Sequence, residues 1–223
     1  MAMCAAFLAL AVVLGSGSAL AQTAGAPVDA ANATAAPAND ADERAWSFSA
    51  SAYTYVVPDS RTYVQPTIAA DRGWLHLEAR YNYEGIDTGS AWFGYNFSVG
   101  DELTLELTPM IAAVFGDTGG IAPGYKGSLS WRTLELYSEA EYVFDSDDSA
   151  DSFFFTWSEL SLAPVEWYRL GLVVQRTKLY ETEFDIQRGL FLGFSYKRVD
   201  VTAYLLNPDA SRPTVVLGVV LNF

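Results

Sequence analysis

The sequence predicts an all-β fold, a transmembrane antiparallel up-and-down β-barrel of about twelve strands, on three observations. From Trp46 to the end, apolar and polar residues alternate with a period of two. The connections between the alternating segments are short and long in turn. Past the N-terminus, no apolar run is long enough to cross a membrane as a helix, although 51% of the residues are hydrophobic.

The first element is AAFLALAVVLGSGSALA, an apolar stretch of about ten residues that turns small and polar and ends in Ala19-Leu20-Ala21. It reads as a secretory signal over 1–21, cleaved after Ala21. The opening MAMC carries no positive charge, so the natural start is expected upstream. Cys4, the single cysteine, falls within this signal, so the exported chain has neither a disulfide nor a thiolate metal site. Residues 22–44 are rich in Ala, Pro, Asn and Asp and free of aromatics. Such a segment buries too little apolar surface to offset its ordering entropy, and is expected to be a disordered periplasmic tail. Residues 45–223 form the barrel.

Within it roughly one residue in six is aromatic. GWLHLEARYNYEG puts Leu75, Leu77, Ala79, Tyr81 and Tyr83 on one face and His76, Glu78, Arg80 and Asn82 on the other. AWFGYNFSV separates Ala91, Phe93, Tyr95, Phe97 and Val99 from Trp92, Gly94, Asn96 and Ser98. LTLELTPMIAAVF, TLELYSEAEYVF, YRLGLVVQRT, RGLFLGFSYK, VDVTAYLL and TVVLGVVLNF repeat the pattern, and SFSASAYTY, YVQPTIAA, GYKGSLSW and FFTWSELSLA show it more weakly. Pro66 and Pro109 lie inside expected strands, where a residue without an N–H predicts a bulge or irregular pairing. Phe153-Phe154-Phe155 breaks the alternation and is expected to belong to an outer aromatic girdle.

Short turns are expected near residues 71–73, 100–101, 132, 164–165 and 198. Longer loops are expected near 58–59, 85–89, 116–122, 145–151, 178–186 and 207–213, the two kinds alternating throughout. A soluble β-sandwich has no need of that regularity. A membrane barrel does, with short periplasmic turns, longer outer loops, apolar residues outward and polar residues inward. The chain thus resembles the Gram-negative outer-membrane β-barrel proteins, a porin-like class, and ends as they do, on Val215, Leu217, Val219, Leu221 and Phe223. The resemblance implies a location in the outer membrane. It also implies recognition of Val219, Leu221 and Phe223 by the barrel assembly machinery, with Phe223 closing the last strand at the periplasmic face.

In this register the inward residues include His76, Glu78, Arg80, Asn82, Asn96, Glu106, Lys126, Ser128, Ser130, Glu135, Tyr137, Glu139, Glu141, Glu159, Arg169, Gln175, Ser195, Asp200 and Thr202. Pairing across the turn at Arg132 sets Lys126 opposite Glu139, with Glu141 and Glu135 as diagonal neighbours. Two readings follow: internal salt bridges that fill and stiffen the barrel, or an acidic constriction that favours cations. The inward glycines Gly94, Gly124, Gly171, Gly189, Gly193 and Gly218 leave room beside the charges. The expected pore lining is Glu78, Arg80, Glu106, Lys126, Glu135, Glu139, Glu141, Glu159 and Arg169.

The net charge of -14 argues against nucleic acid as a partner and leaves an anionic lipopolysaccharide surface, bridged by divalent ions, as a candidate. His76, the single histidine, lies near a periplasmic turn, and the inward hydroxyls of Ser47, Ser49 and Ser51 are on a strand that need not neighbour it, which weighs against a lipid hydrolase. The loop DSDDSADS lacks the glycine and terminal glutamate of a calcium loop and reads as a solvated acidic loop. No cofactor or resident metal is expected. The sequence therefore predicts a monomeric, non-enzymatic barrel acting as a small passive pore for ions or small hydrophilic solutes, with a preference for cations. The alternatives are a non-conducting structural or surface-interaction barrel with a charge-plugged lumen and, third, a lipid-modifying enzyme.

Overall fold

The computed structural model describes residues 45–58, 60–179 and 185–223. The signal and tail expected over 1–21 and 22–44 lie outside the described residues. The strands are β1 (Ser47–Val56), β2 (Tyr63–Arg72), β3 (Leu75–Tyr81), β4 (Thr88–Tyr95), β5 (Phe97–Val99), β6 (Leu103–Gly116) and β7 (Gly120–Trp131). They continue as β8 (Leu134–Asp145), β9 (Phe153–Val165), β10 (Tyr168–Leu179), β11 (Asp185–Tyr196), β12 (Val199–Leu206) and β13 (Thr214–Asn222).

All pairings are antiparallel, and two of them close the sheet. The last strand pairs with the first, from Ser49↔Asn222 to Val56↔Val215. The terminal residue extends that seam, because the Phe223 N–H donates to the Phe48 carbonyl at 2.9 Å. On the other side β4 pairs with β6, from Thr88↔Gly116 to Gly94↔Met110. Both β4 and β5 pair with β6 in a single register, so the two are halves of one wall strand and the barrel has twelve.

The gap between those halves falls opposite Pro109, which has no N–H to give. Asn96 takes up the slack. Its N–H donates to the Trp74 carbonyl at 2.7 Å, and its side chain bonds Asp71 at 2.7 Å and Thr108 at 2.8 Å. Irregular pairing was expected at Pro66 as well, but the register of β2 on β1 runs unbroken through Ala52↔Pro66. The pairing with β3 ends instead at Thr67↔Arg80, one residue short of the proline.

The turns at Gly73, Arg132 and Lys197 use left-handed backbone, with φ of 56°, 55° and 58°. Two connections differ from expectation. The turn after β9 is Glu166-Trp167, since pairing continues to Val165↔Tyr168. The connection expected over 116–122 shrinks to residues 117–119, because β6 and β7 stay paired up to Val114↔Gly120. Short and long connections therefore do not alternate strictly.

Alternation sorts the side chains as expected. Outward lie exposed Ile68, Leu105, Ile111, Leu160, Leu172, Leu190, Leu192 and Leu217, a continuous apolar belt. Of the six tryptophans, Trp46, Trp74, Trp131 and Trp167 are exposed at the rim of the short turns, with Trp74 stacked on Tyr95 and Trp167 on Phe194. That is the amphipathic belt expected at a membrane interface. The phenylalanine triplet does not join an outer girdle: Phe153 and Phe155 are 4% and 0% exposed and point inward, so the period of two is kept.

A depth test follows from this belt. Arginine in place of Ile111 or Leu190, midway along their strands, is expected to destabilise the barrel by about 2–4 kcal/mol, and in place of Leu103 at the rim by about 0–1 kcal/mol. Reversible unfolding in lipid vesicles measures all three, and equal costs at the two depths would contradict the assignment of the lipid face.

Candidate functional site

The lumen is built by the inward residues of every strand, and all nine expected lining residues face it. On β3, His76, Glu78 and Arg80 project inward in succession. His76 Nδ1 meets Asp71 at 2.8 Å and Nε2 meets Glu78 at 3.2 Å, so both ring nitrogens face carboxylates, which suits the imidazolium form. Neither nitrogen is free to activate Ser49 or Ser51.

Glu78 is the hub of this cluster. One oxygen accepts from Arg80 Nε and the other from Lys126 Nζ, which reaches over from β7. Arg80 Nη1 donates to Glu141 of β8 at 3.0 Å and lies 4.0 Å from Glu84. The guanidinium is held between two rings, its carbon 4.1 Å from the centre of Tyr83 and 4.4 Å from that of Trp92. Lys126 sits opposite Glu139 and Gly124 opposite Glu141, as the turn at Arg132 implied. Glu135 lies opposite Ser130, four residues along from Glu139, and is no diagonal neighbour of Lys126.

A second pair lies on the other side of the barrel. Arg169 of β10 donates to Glu159 at 3.1 Å and to Thr202 at 2.9 Å, while Trp157 Nε1 donates to Glu159 at 2.9 Å. Glu106, Glu135 and Asp200 lie nearer the short-turn end, where the Asp71 side chain is 37% exposed and the lumen is wet. The acids on the inner face outnumber the bases, which are Arg80, Lys126, Arg169 and His76.

Two lumen residues lie outside the strand alternation. Period two places Tyr83 outward, yet Tyr83 is 1% exposed and faces inward, followed by buried Glu84. The cause is Asn82, whose left-handed backbone at φ 57° breaks the alternation in the loop that follows β3. Its side chain fixes that turn by donating to the Val64 carbonyl at 2.9 Å and accepting from the Asp87 N–H at 2.9 Å. Tyr83 then donates to Glu139, and Glu84 accepts from Ser90 at 2.5 Å and from Trp92 at 3.1 Å.

Beside three of the glycines the room is filled with rings. A Cβ on Gly218 would lie 2.4 Å from Tyr53, one on Gly171 2.8 Å from Phe191, and one on Gly124 3.2 Å from Trp92. Trp157, Phe155, Tyr55, Tyr83 and Tyr204 reach no solvent. The space bounded by Arg80, Tyr83, Trp92, Met110, Glu139, Glu141 and Phe155 is too small for a water molecule. The lumen is therefore solvent-accessible at the short-turn end and narrowed by side-chain contact farther up.

The acidic loop behaves as a folded turn. Asp145 accepts from the N–H groups of Asp147 and Asp148 at 2.8 and 2.9 Å, and Asp148 caps the 3-10 turn Ser149–Asp151 through Ala150. Among the described residues no group of three His, Cys, Asp or Glu side chains is placed to hold a metal ion.

Burial pushes the Glu84 carboxyl up, with Arg80, Ser90 and Trp92 pulling the other way. A carboxyl raised on folding holds its proton more tightly in the folded state, so its contribution is greatest in acid and falls as pH rises past the ordinary glutamate range. Glu84→Gln is expected to remove that fall, leaving the variant more stable relative to wild type at mildly alkaline than at mildly acidic pH. Urea unfolding at the two pH values measures it, and an unchanged pH dependence would contradict the burial.

No family model and no curated protein matches the chain. Among solved structures it is similar to a KdgM porin at 11% identity, with a TM-score of 0.54, covering 78% of this chain and 99% of that one. It is similar also to a KdgM porin in complex with disordered oligogalacturonate at 12% identity, with a TM-score of 0.53, covering 79% of this chain and 99% of that one. At such identities the likeness concerns the fold alone: the chain is a closed twelve-stranded antiparallel β-barrel with the fold seen in the KdgM porins.

Proposed function

We propose that this chain is an outer-membrane channel of the porin type with a narrow bore, passing small ions and favouring cations over anions. The observation that carries the reading is the excess of acid on the inner face, where Glu78, Glu139, Glu141 and Glu159 are each within 4% of full burial and surround only a few cations. Carboxylates at a constriction lower the energy of a passing cation and raise that of an anion. The porin-like fold supports passage as such. The lumen chemistry argues for a different cargo from the oligogalacturonate of the second KdgM structure, since a polyanion meets repulsion here.

Several further parts of this account belong to the same proposal. Residues 1–21 direct export, and residues 22–44 remain in the periplasm. Val219, Leu221 and Phe223 are read by the barrel assembly machinery, in keeping with the pairing of Phe223 on Phe48 at the seam. The barrel works as a monomer, its outer loops facing lipopolysaccharide. A second reading, a non-conducting barrel whose charges pair off inside, is favoured by the contact of side chains across the upper lumen.

Single-channel recording of the refolded barrel separates the two. Small steps with a cation-selective reversal potential under a potassium chloride gradient, shifted toward neutrality in Glu139→Gln and Glu141→Gln, are expected. Silence from protein that is folded and inserted would replace the channel by the closed barrel, and anion selectivity would remove the role given to the acids.

A further inference from the structure

Arg80 crosses the lumen, bound to Glu78 on its own strand and to Glu141 on β8, with the Tyr83 and Trp92 rings on its faces. Carboxylates matching a fork of N–H donors, together with aromatic faces, are what recognises a planar organic cation. The box also holds more acid than its cations balance: Glu78, Glu84, Glu139 and Glu141 stand against Arg80 and Lys126, with His76 already between Asp71 and Glu78.

An independent observation points to a ligand. Glu84 Oε2 and Glu141 Oε1 are buried and have no hydrogen-bond partner, on residues only 3% exposed. A buried carboxylate oxygen left without a donor is costly, so both oxygens hold acceptor capacity for a further N–H group. The space beside Arg80 has no room for a water molecule, so a solute cation and the Arg80 guanidinium must compete for it.

We propose that this box is a binding site for small planar organic cations of the guanidinium class, that Arg80 is its tethered occupant, and that displacement of Arg80 opens the lumen. The inference rests on the reading of the barrel as a cation channel. Arg80 can leave without stripping Glu78 of every cationic partner, because Lys126 remains on the other oxygen.

The test is planar-bilayer current from wild type, Arg80→Ala and the double variant Arg80→Ala/Glu141→Gln, each with guanidinium chloride or tetramethylammonium chloride added. Tetramethylammonium carries the same charge without N–H donors. Arg80→Ala is expected to conduct several-fold more than wild type, and guanidinium, but not tetramethylammonium, to return it toward the wild-type level. The double variant keeps the larger current but needs about tenfold more guanidinium for half block, as loss of a charge-assisted hydrogen bond implies. If Arg80→Ala does not assemble, the double variant, with one acid neutralised, carries the comparison with wild type. A variant current equal to that of a conducting wild type, or equal block by the two cations, overturns the site and leaves the channel reading in place. A silent wild type beside a conducting, guanidinium-blocked variant overturns the channel reading and keeps the site; silence from all the folded barrels overturns both.

Discussion

The seam between β1 and β13, together with the β4–β6 pairing, closes the sheet around the barrel, and only the short β5 at the rim keeps an unpaired edge. In hydrocarbon an unpaired N–H or carbonyl has no water to turn to, so closure is the condition for everything else in the fold. Once the sheet is closed, a residue has two destinations, lipid or lumen, and the strand period alternates between them. A chain rich in acid must then gather its membrane-spanning charges inside. The charged interior of this barrel follows from that exclusion before any selection for a solute.

What the lumen does with those charges depends on how dry it is. At the short-turn end, half-exposed Asp71 and the neighbouring polar residues meet water. Higher up, Trp157, Tyr204, Phe155 and Tyr83 replace water by ring contacts, such as Trp157 edge-on to Tyr204 at 5.3 Å and Tyr83 edge-on to Phe155 at 5.8 Å. Low polarizability around Glu78, Arg80 and Glu141 strengthens each attraction and raises the cost of any group left unmatched. On the proposed reading, a cation entering such a site is attracted more strongly than in an open, water-filled pore, and the ring contacts narrow the path for larger solutes.

Much of this was legible in the sequence. Period two assigned the faces of His76, Glu78, Arg80, Glu139 and Glu141, and the turn at Arg132 gave the Lys126↔Glu139 register. Three features escaped it for local reasons. The left-handed Asn82 broke the alternation after β3 and sent Tyr83 and Glu84 inward, which a count of alternation has no means to register. Phe153 and Phe155 are apolar yet face the lumen, because an interior this narrow is filled by large side chains as well as by polar ones. The glycines promised space, but whether water or the ring of a cross-strand neighbour occupies it depends on packing that one strand does not encode. The register of Lys126 was readable from one hairpin, whereas its contact with Glu78 spans strands far apart in the chain.

The central claim, a barrel that passes small cations and is closed by side-chain contact to anything larger, is tested most directly by permeability of sealed proteoliposomes. Potassium leak and monosaccharide-driven swelling would be followed in the same vesicles. The account predicts potassium leak without swelling. Swelling in a monosaccharide would show a water-filled path through the Trp157 and Arg80 levels and would contradict it.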